Sequence, residues 1–453
     1  MRFPGWLMIS MALSACGAAS EREVVSSQDA PEQTKGAKTE SKGNPFEVRG
    51  PLHPEPLPDS LPDFAAEPQA LPRLPKGVPA APASCNAYNA KKANCTDKPS
   101  LTALDTALAI EQAVERDKAL AAIESCFPAG LVRALRADLA PPECGDAIVG
   151  TLAGEPQGIS GPVHHALVGL ALAARLARAA RQPPTAKPPF TKQRVIEHVK
   201  GPMGAWVREQ ATAIEDIASR GAKLRGYGKA VVAIEAGMAE MRFVLAAREV
   251  PVPEEIAKFP EAAETYYQNL ELTLDARKQR GRDAALVGLG ELAQQGVIVD
   301  PRLARARDML AQVYGGSIIK TLDALALPPL AKANPSQAEH RLAMRLPSFY
   351  AGVLLPKAQD ATALRMLLER GLPLAHRIAL KNAQLSPEQR VLVARARIEM
   401  AKNYWRAVDV DEAVQLLSKK RSAEGDLLLA IALALRGGPV NAADMILRAP
   451  EAK

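Results

Sequence analysis

Several short constellations in this 453-residue chain hold residue types that could do covalent or metal chemistry. Ser317-Ile318-Ile319-Lys320 has S-x-x-K spacing, a serine nucleophile one helical turn from a lysine. Such a hydroxyl needs a base to take its proton. It also needs partner triplets such as K-T-G, and no K-T-G occurs. Following Gly315-Gly316, Ser317 reads better as a helix N-cap. His164-His165 could suggest a metal, but adjacent helical residues point about 100° apart and cannot readily share one ion. One core and one surface histidine is the expectation. Gly226-Tyr227-Gly228-Lys229 resembles a scrap of a phosphate loop, without a preceding strand or the Walker spacing. It reads as a turn between helices. No catalytic residue, metal-ligand set or cofactor is nominated.

Cysteine is the more informative residue type. Of five cysteines, Cys16 closes the run Leu13-Ser14-Ala15-Cys16, directly behind an apolar stretch from Trp6 to Leu13. That stretch is far below the roughly 18 apolar residues of a spanning helix. It reads as a targeting segment, with Arg2 as its single side-chain cation. The arrangement resembles the lipobox of bacterial lipoprotein precursors. The resemblance implies that residues 1–15 are a signal peptide, that Cys16 carries lipid, and that the mature chain faces the periplasm. Gly17, where Asp would favour inner-membrane retention, leans towards the outer membrane. Ordinary secretory cleavage after Ala15 is the competing reading.

An oxidising compartment should leave Cys85, Cys95, Cys126 and Cys144 bonded. Four cysteines permit three pairings. If residues 101–125 form one straight helix, it is about 37 Å long and holds Cys95 and Cys126 apart. Cys85–Cys95 and Cys126–Cys144 are then the expected pairs. A break near Arg116-Asp117 would lift that constraint. Metal binding by these cysteines is disfavoured, since no CxxC pair exists.

Net charge is +7, with Lys and Arg interspersed among Asp and Glu, as at Arg390, Arg395 and Arg397 between Glu388 and Glu399. A nucleic-acid binder would cluster its cations on one element. The even mixing reads as solvated helix faces, and no nucleic-acid partner is expected. Residues 16–84 carry the lipid anchor and a disordered linker, Pro-rich from Pro51 to Pro82. Proline at that density favours extended polyproline geometry. The Pro-rich part alone could span on the order of 100 Å and hold a folded body clear of the lipid.

Aromatic residues are 4% of the chain, and Ala and Leu are abundant. Both are strong helix formers. The expected fold is all-α, as stacked helical hairpins in a solenoid or an irregular bundle. Ser100 is placed to cap the first helix. Val163 to Ala180 is apolar nearly all round except His164, His165, Arg175 and Arg178, the pattern of a buried helix. A Pro-rich break at 182–189 divides a Cys-containing helical subdomain, 85–189, from a repeat-like domain, 190–453. Helix-sized segments there include 262–279, 282–295, 361–370, 373–382 and 439–448. The clearest begins at Ser386-Pro387, where Gln389 completes a capping box.

Tyr404, Ala413 and Leu417 keep the spacing of the Tyr, Ala and large apolar positions of a tetratricopeptide repeat, and Ala401 fits its small-residue position. A second, weaker match runs through Leu429, Ala430, Ala442, Ile446 and Ala449. Residues 387–453 therefore resemble that repeat family. Departures are Arg397 at the usual Trp, Lys420 at a usual Ala and Gly425 at the closing Pro. Leu433 stands where the second Tyr would be, 29 residues beyond Tyr404, against about 34 for the repeat. The resemblance implies a protein or peptide partner, with Tyr404 and Trp405 as candidate contacts. A non-catalytic, membrane-anchored binding scaffold is the expected function. An enzyme acting on cell wall or another envelope polymer is the alternative.

Overall fold

A computed structural model describes residues 43–48, 63–67, 70–90, 95, 100–298, 300–313, 317–328, 338–355, 385–418, 422–438 and 440. All regular elements among these are helices. None is long and apolar enough to cross a membrane. Cys16 lies outside the described residues, as do the helices expected at 361–370 and 373–382 and nearly all of 439–448.

The first helix, α1 (Leu101–Leu108), is capped as its sequence implies, the Ser100 side chain accepting from the Ala103 N–H. The chain then leaves helical geometry and resumes in α2 (Ala113–Ile123). This break removes the premise of a straight 101–125 helix. The α1–α2 pair folds back on itself, and Cys95 and Cys126 come within 5.0 Å between Cα atoms and are bonded. Cys85 bonds Cys144 across 59 residues. The expected pairs, Cys85–Cys95 and Cys126–Cys144, are therefore incorrect. Next come α3 (Leu131–Leu139) and the short α4 (Gly145–Val149). Arg136 of α3 is buried and donates to Asp117, Glu124 and the carbonyls of Tyr88 and Ala90.

Helix α5 (Gly161–Arg178) is buried at every residue except Pro162. After α6 (Lys192–His198) and α7 (Gly204–Gly221) comes α8 (Gly226–Arg248), also apolar around most of its circumference. Such a helix needs neighbours on several sides. It lies between α5 and α10, with α7 also against it. The sequence Gly226 to Lys229, expected as a turn, is the first turn of α8. Here backbone meets backbone: a Cβ on Gly228 would fall 1.9 Å from the His165 carbonyl oxygen. Only glycine permits that crossing of α5 and α8.

After α9 (Glu254–Ala257), α10 (Pro260–Gln294) runs unbroken for 35 residues. The two helices expected at 262–279 and 282–295 are one. Gly281 fits between Gly237 and Met241 of α8. Further on are α11 (Pro301–Val313), α12 (Ser317–Ala324), α13 (Ala338–Arg345) and α14 (Ser348–Leu354). Arg341 and Arg345 of α13 reach back to Asp105 of α1. One apolar core extends from Phe46 to Val440. The division expected at 189/190 does not separate two cores, because α5 and α8 pack across it.

The last three described helices are α15 (Pro387–Tyr404), α16 (Ala407–Leu417) and α17 (Ala423–Arg436). The capping box of Ser386 and Gln389 is present. Each helix packs on the next, and α15 also touches α17. Arg397, expected on a solvated face, is fully buried and pairs with Asp409 of α16.

Candidate peptide-binding surface

Proline carries no N–H, so an extended Pro-rich segment offers a line of carbonyls that need donors when covered. Residues 70–84 of the expected linker lie against the body, and buried side chains supply those donors. Arg175 Nη1 donates to the Pro72 carbonyl at 2.8 Å. Arg178 Nε donates to that of Pro79, also at 2.8 Å. Gln210 Nε2 donates to Gly77 O at 2.8 Å, while its Oε1 accepts from the Ala180 N–H. Asp146 balances both arginines, 2.7 Å from Arg178 Nη2 and 3.4 Å from Arg175 Nε. Val78 is buried between these grips, and Lys76 meets Glu209 at the surface. The Cys85–Cys144 bond pins the far end of this strap.

Upstream, residues 63–67 cross the start of α5. The Phe64 ring meets His165 edge-on at 4.7 Å, and Arg225 lies 5.8 Å from the ring centre. Such contacts hold an aromatic ring by its quadrupole. His165 Nδ1 accepts the Arg225 N–H at 3.0 Å. Burial pushes the His165 pKa below the usual histidine range, with His164 and Arg225 adding to the effect and Glu67 opposing it. Still earlier, Phe46 is buried and Asn44 Nδ2 donates to Asp283 at 3.1 Å. Thus residues 43–48, 63–67 and 70–84 do not stand clear of the body.

Two clefts adjoin the strap. One, about 230 Å³, lies among Phe64, Ser160, Tyr227, Phe349 and Val353. Behind it Tyr227 stacks on Phe349 at 4.6 Å and donates to Asp138 Oδ2 at 2.7 Å. Arg302 pairs with Asp138 and donates to the Tyr227 oxygen at 3.0 Å. Burial, reinforced by Asp138 and Asp300, raises the Tyr227 pKa well above that of a free phenol. Tyr227 is thereby kept as a neutral donor, and the set joins α3, α8, α11 and α14. The second cleft, about 340 Å³, has Leu71 and Pro72 of the strap on one side and Val168 and Leu172 on its floor. Arg220 and Lys223 form its rim.

Tyr404 and Trp405, expected as partner contacts, are both buried. Tyr404 donates to the Val297 carbonyl at 2.6 Å, and Arg307 lies 5.6 Å from the Trp405 ring centre. They anchor the C-terminal helices to the body, because the hairpin face that carries them is packed rather than free. His164 and His165 are both interior, contrary to the one-surface expectation, since α5 is enclosed on all sides. His164 Nε2 lies 2.7 Å from the Ala153 carbonyl. Ser317 begins α12. No group of three His, Cys, Asp or Glu among the described residues could hold a metal ion.

Sequence reasoning did not identify the strap's grips, although a signal existed. Arg175 and Arg178 are cations three residues apart on a helix otherwise apolar, hence on one face and in need of partners. Gln210, Tyr227 and Arg302 carry no comparable sequence signal. No protein-family model matches the chain, and no curated protein or solved structure does so either.

Proposed function

We infer that the chain is an envelope-anchored lipoprotein serving as a non-catalytic protein-binding scaffold in the periplasm. Lipid on Cys16 would fix it to the outer membrane, and the helical body would present a surface to a protein or peptide partner. The observation that carries this reading is the hold on the strap. Arg175, Arg178 and Gln210 grip an extended segment through its carbonyls. Gripping main chain in this way accepts many sequences, and recognition of Pro-rich segments exploits a pre-extended, low-entropy ligand. The resemblance of residues 387–453 to tetratricopeptide repeats points the same way.

Crosslinking in intact envelopes, followed by identification of captured proteins, tests the scaffold. Recovery of a defined protein is the expected result, and recovery of wall fragments alone would overturn it. A Cys16→Ala chain should leave the membrane fraction. Its retention there would contradict the anchor.

A further inference from the structure

The strap fits its seat incompletely. Its carbonyls are held, yet a cleft of about 340 Å³ remains beside Leu71 and Pro72, with the buried side chains of Val168 and Leu172 at its base. Lys223 is exposed on the rim, and Arg220, itself half-exposed, meets a half-exposed Asp216 at 3.5 Å. The strap brings no acid between Ala70 and Val78, and the residue that follows Pro72 is itself a cation, Arg73. Its covalent pin is downstream, at Cys85, so residues 70–84 can leave their seat without breaking that bond.

We propose that the strap is a displaceable internal ligand. Its seat receives an extended Pro-rich segment of a partner protein, with a large apolar side chain at the Leu71 register and an acidic one beside it. This rests on the binding-scaffold reading and names the partner's chemistry. Competition explains why the partner must differ from the strap. A segment tethered in cis acts at an effective concentration of about millimolar. A second copy's strap makes only the same contacts and cannot displace it at ordinary concentrations. A ligand that fills the cleft and neutralises Arg220 and Lys223 gains contacts that the strap lacks.

The full chain supplies its own control. A Cβ on Gly154 would lie 3.8 Å from that of Ala70, inside the roughly 3.5–4.5 Å window for a disulfide. A chain with Ala70→Cys and Gly154→Cys, taken after oxidation once thiol titration shows the bond formed, holds the strap in place; the Gly154 Cβ position is also 3.5 Å from the Ala70 Cα. Two labelled peptides of residues 63–84 are titrated by fluorescence anisotropy, one native and one with Ala70→Glu and Leu71→Phe. On the unlocked chain the altered peptide should bind at least tenfold tighter than the native one, and more weakly as salt rises. On the locked chain its affinity should fall at least tenfold. Equal affinity of the two peptides, no binding of either, or equal binding to locked and unlocked chains each overturns the proposal. Envelope crosslinking with the locked chain separates the two readings. A partner still captured by it leaves the scaffold standing and removes the strap's seat as its site.

Discussion

A Cβ on Gly161 would lie 1.7 Å from the Phe64 carbonyl oxygen, so residues 63–67, just upstream of the strap, can cross the start of α5 only over glycine. The obstacle is backbone, which cannot rotate aside as a flexible side chain could. Gly161→Ala should lift residues 63–67 off His165 while leaving the packing of α5 against α8 in place. Trypsin cleavage after Arg73 or Lys76 should accelerate at least tenfold. The melting temperature of the body should shift by only a few degrees. An unchanged cleavage rate would show that the strap does not depend on this crossing.

The disulfides close loops of 31 and 59 residues. Chain-entropy reasoning gives each about 4 kcal/mol of stabilisation, slightly more for the longer loop. Non-reducing peptide mapping should recover Cys85 with Cys144 and Cys95 with Cys126. Replacing either pair with serine should lower the unfolding free energy by about 2–5 kcal/mol. Replacing Cys85 and Cys144 should also speed cleavage of the strap, because that bond is the covalent pin of its downstream end.

Much of the fold was legible from local signals. Ser100 and the Ser386–Gln389 box mark helix starts through side-chain geometry that belongs to four consecutive residues. The apolar circumference of 163–180 announces a buried helix for the same reason. What escaped was set by residues far apart in sequence. The continuity of α10 through Gly281 is decided by the backbone of α8, and the disulfide pairing by a break at 109–112 that no proline marks. The strap escaped because proline density argues for an extended chain but not for what covers it. Arg175 and Arg178 were the visible clue, and their partners lie about 100 residues upstream.

His165 ties the strap to pH. Burial is the main cause of its depressed pKa. The unfolded chain therefore binds the proton more readily than the folded one. Stability from this group is fully present above about pH 6.5 and is lost as pH falls through the folded pKa. Protonation at Nδ1 would also remove the acceptor for the Arg225 N–H. Acidification from pH 7 towards 5 should lower the unfolding free energy and raise amide exchange at residues 63–67. His165→Asn, which keeps an acceptor near the Nδ1 position, should flatten that pH dependence. A profile identical to that of the unaltered chain would remove His165 as its source.

Arg397 and Asp409 are both fully buried, and Asp409 also accepts from Arg406 Nε at 2.6 Å. Glu412 lies 2.7 Å from Arg397 Nη2 with its side chain partly in solvent. Arg397, Asp409 and Arg406 form a buried triad, with Glu412 at its edge, that joins α15 to α16 where a repeat of the kind that residues 387–453 resemble would place an apolar contact. Breaking a buried ion pair strands the remaining charges, whereas replacing all of them with apolar groups of similar size is often neutral or stabilising. Asp409→Ala should therefore cost about 3–5 kcal/mol in chemical denaturation. The triple change Arg397→Met, Arg406→Leu and Asp409→Leu should return to within about 1 kcal/mol of the unaltered chain or exceed it. If the triple variant is as unstable as Asp409→Ala, the triad contributes through hydrogen-bond geometry that apolar packing cannot replace.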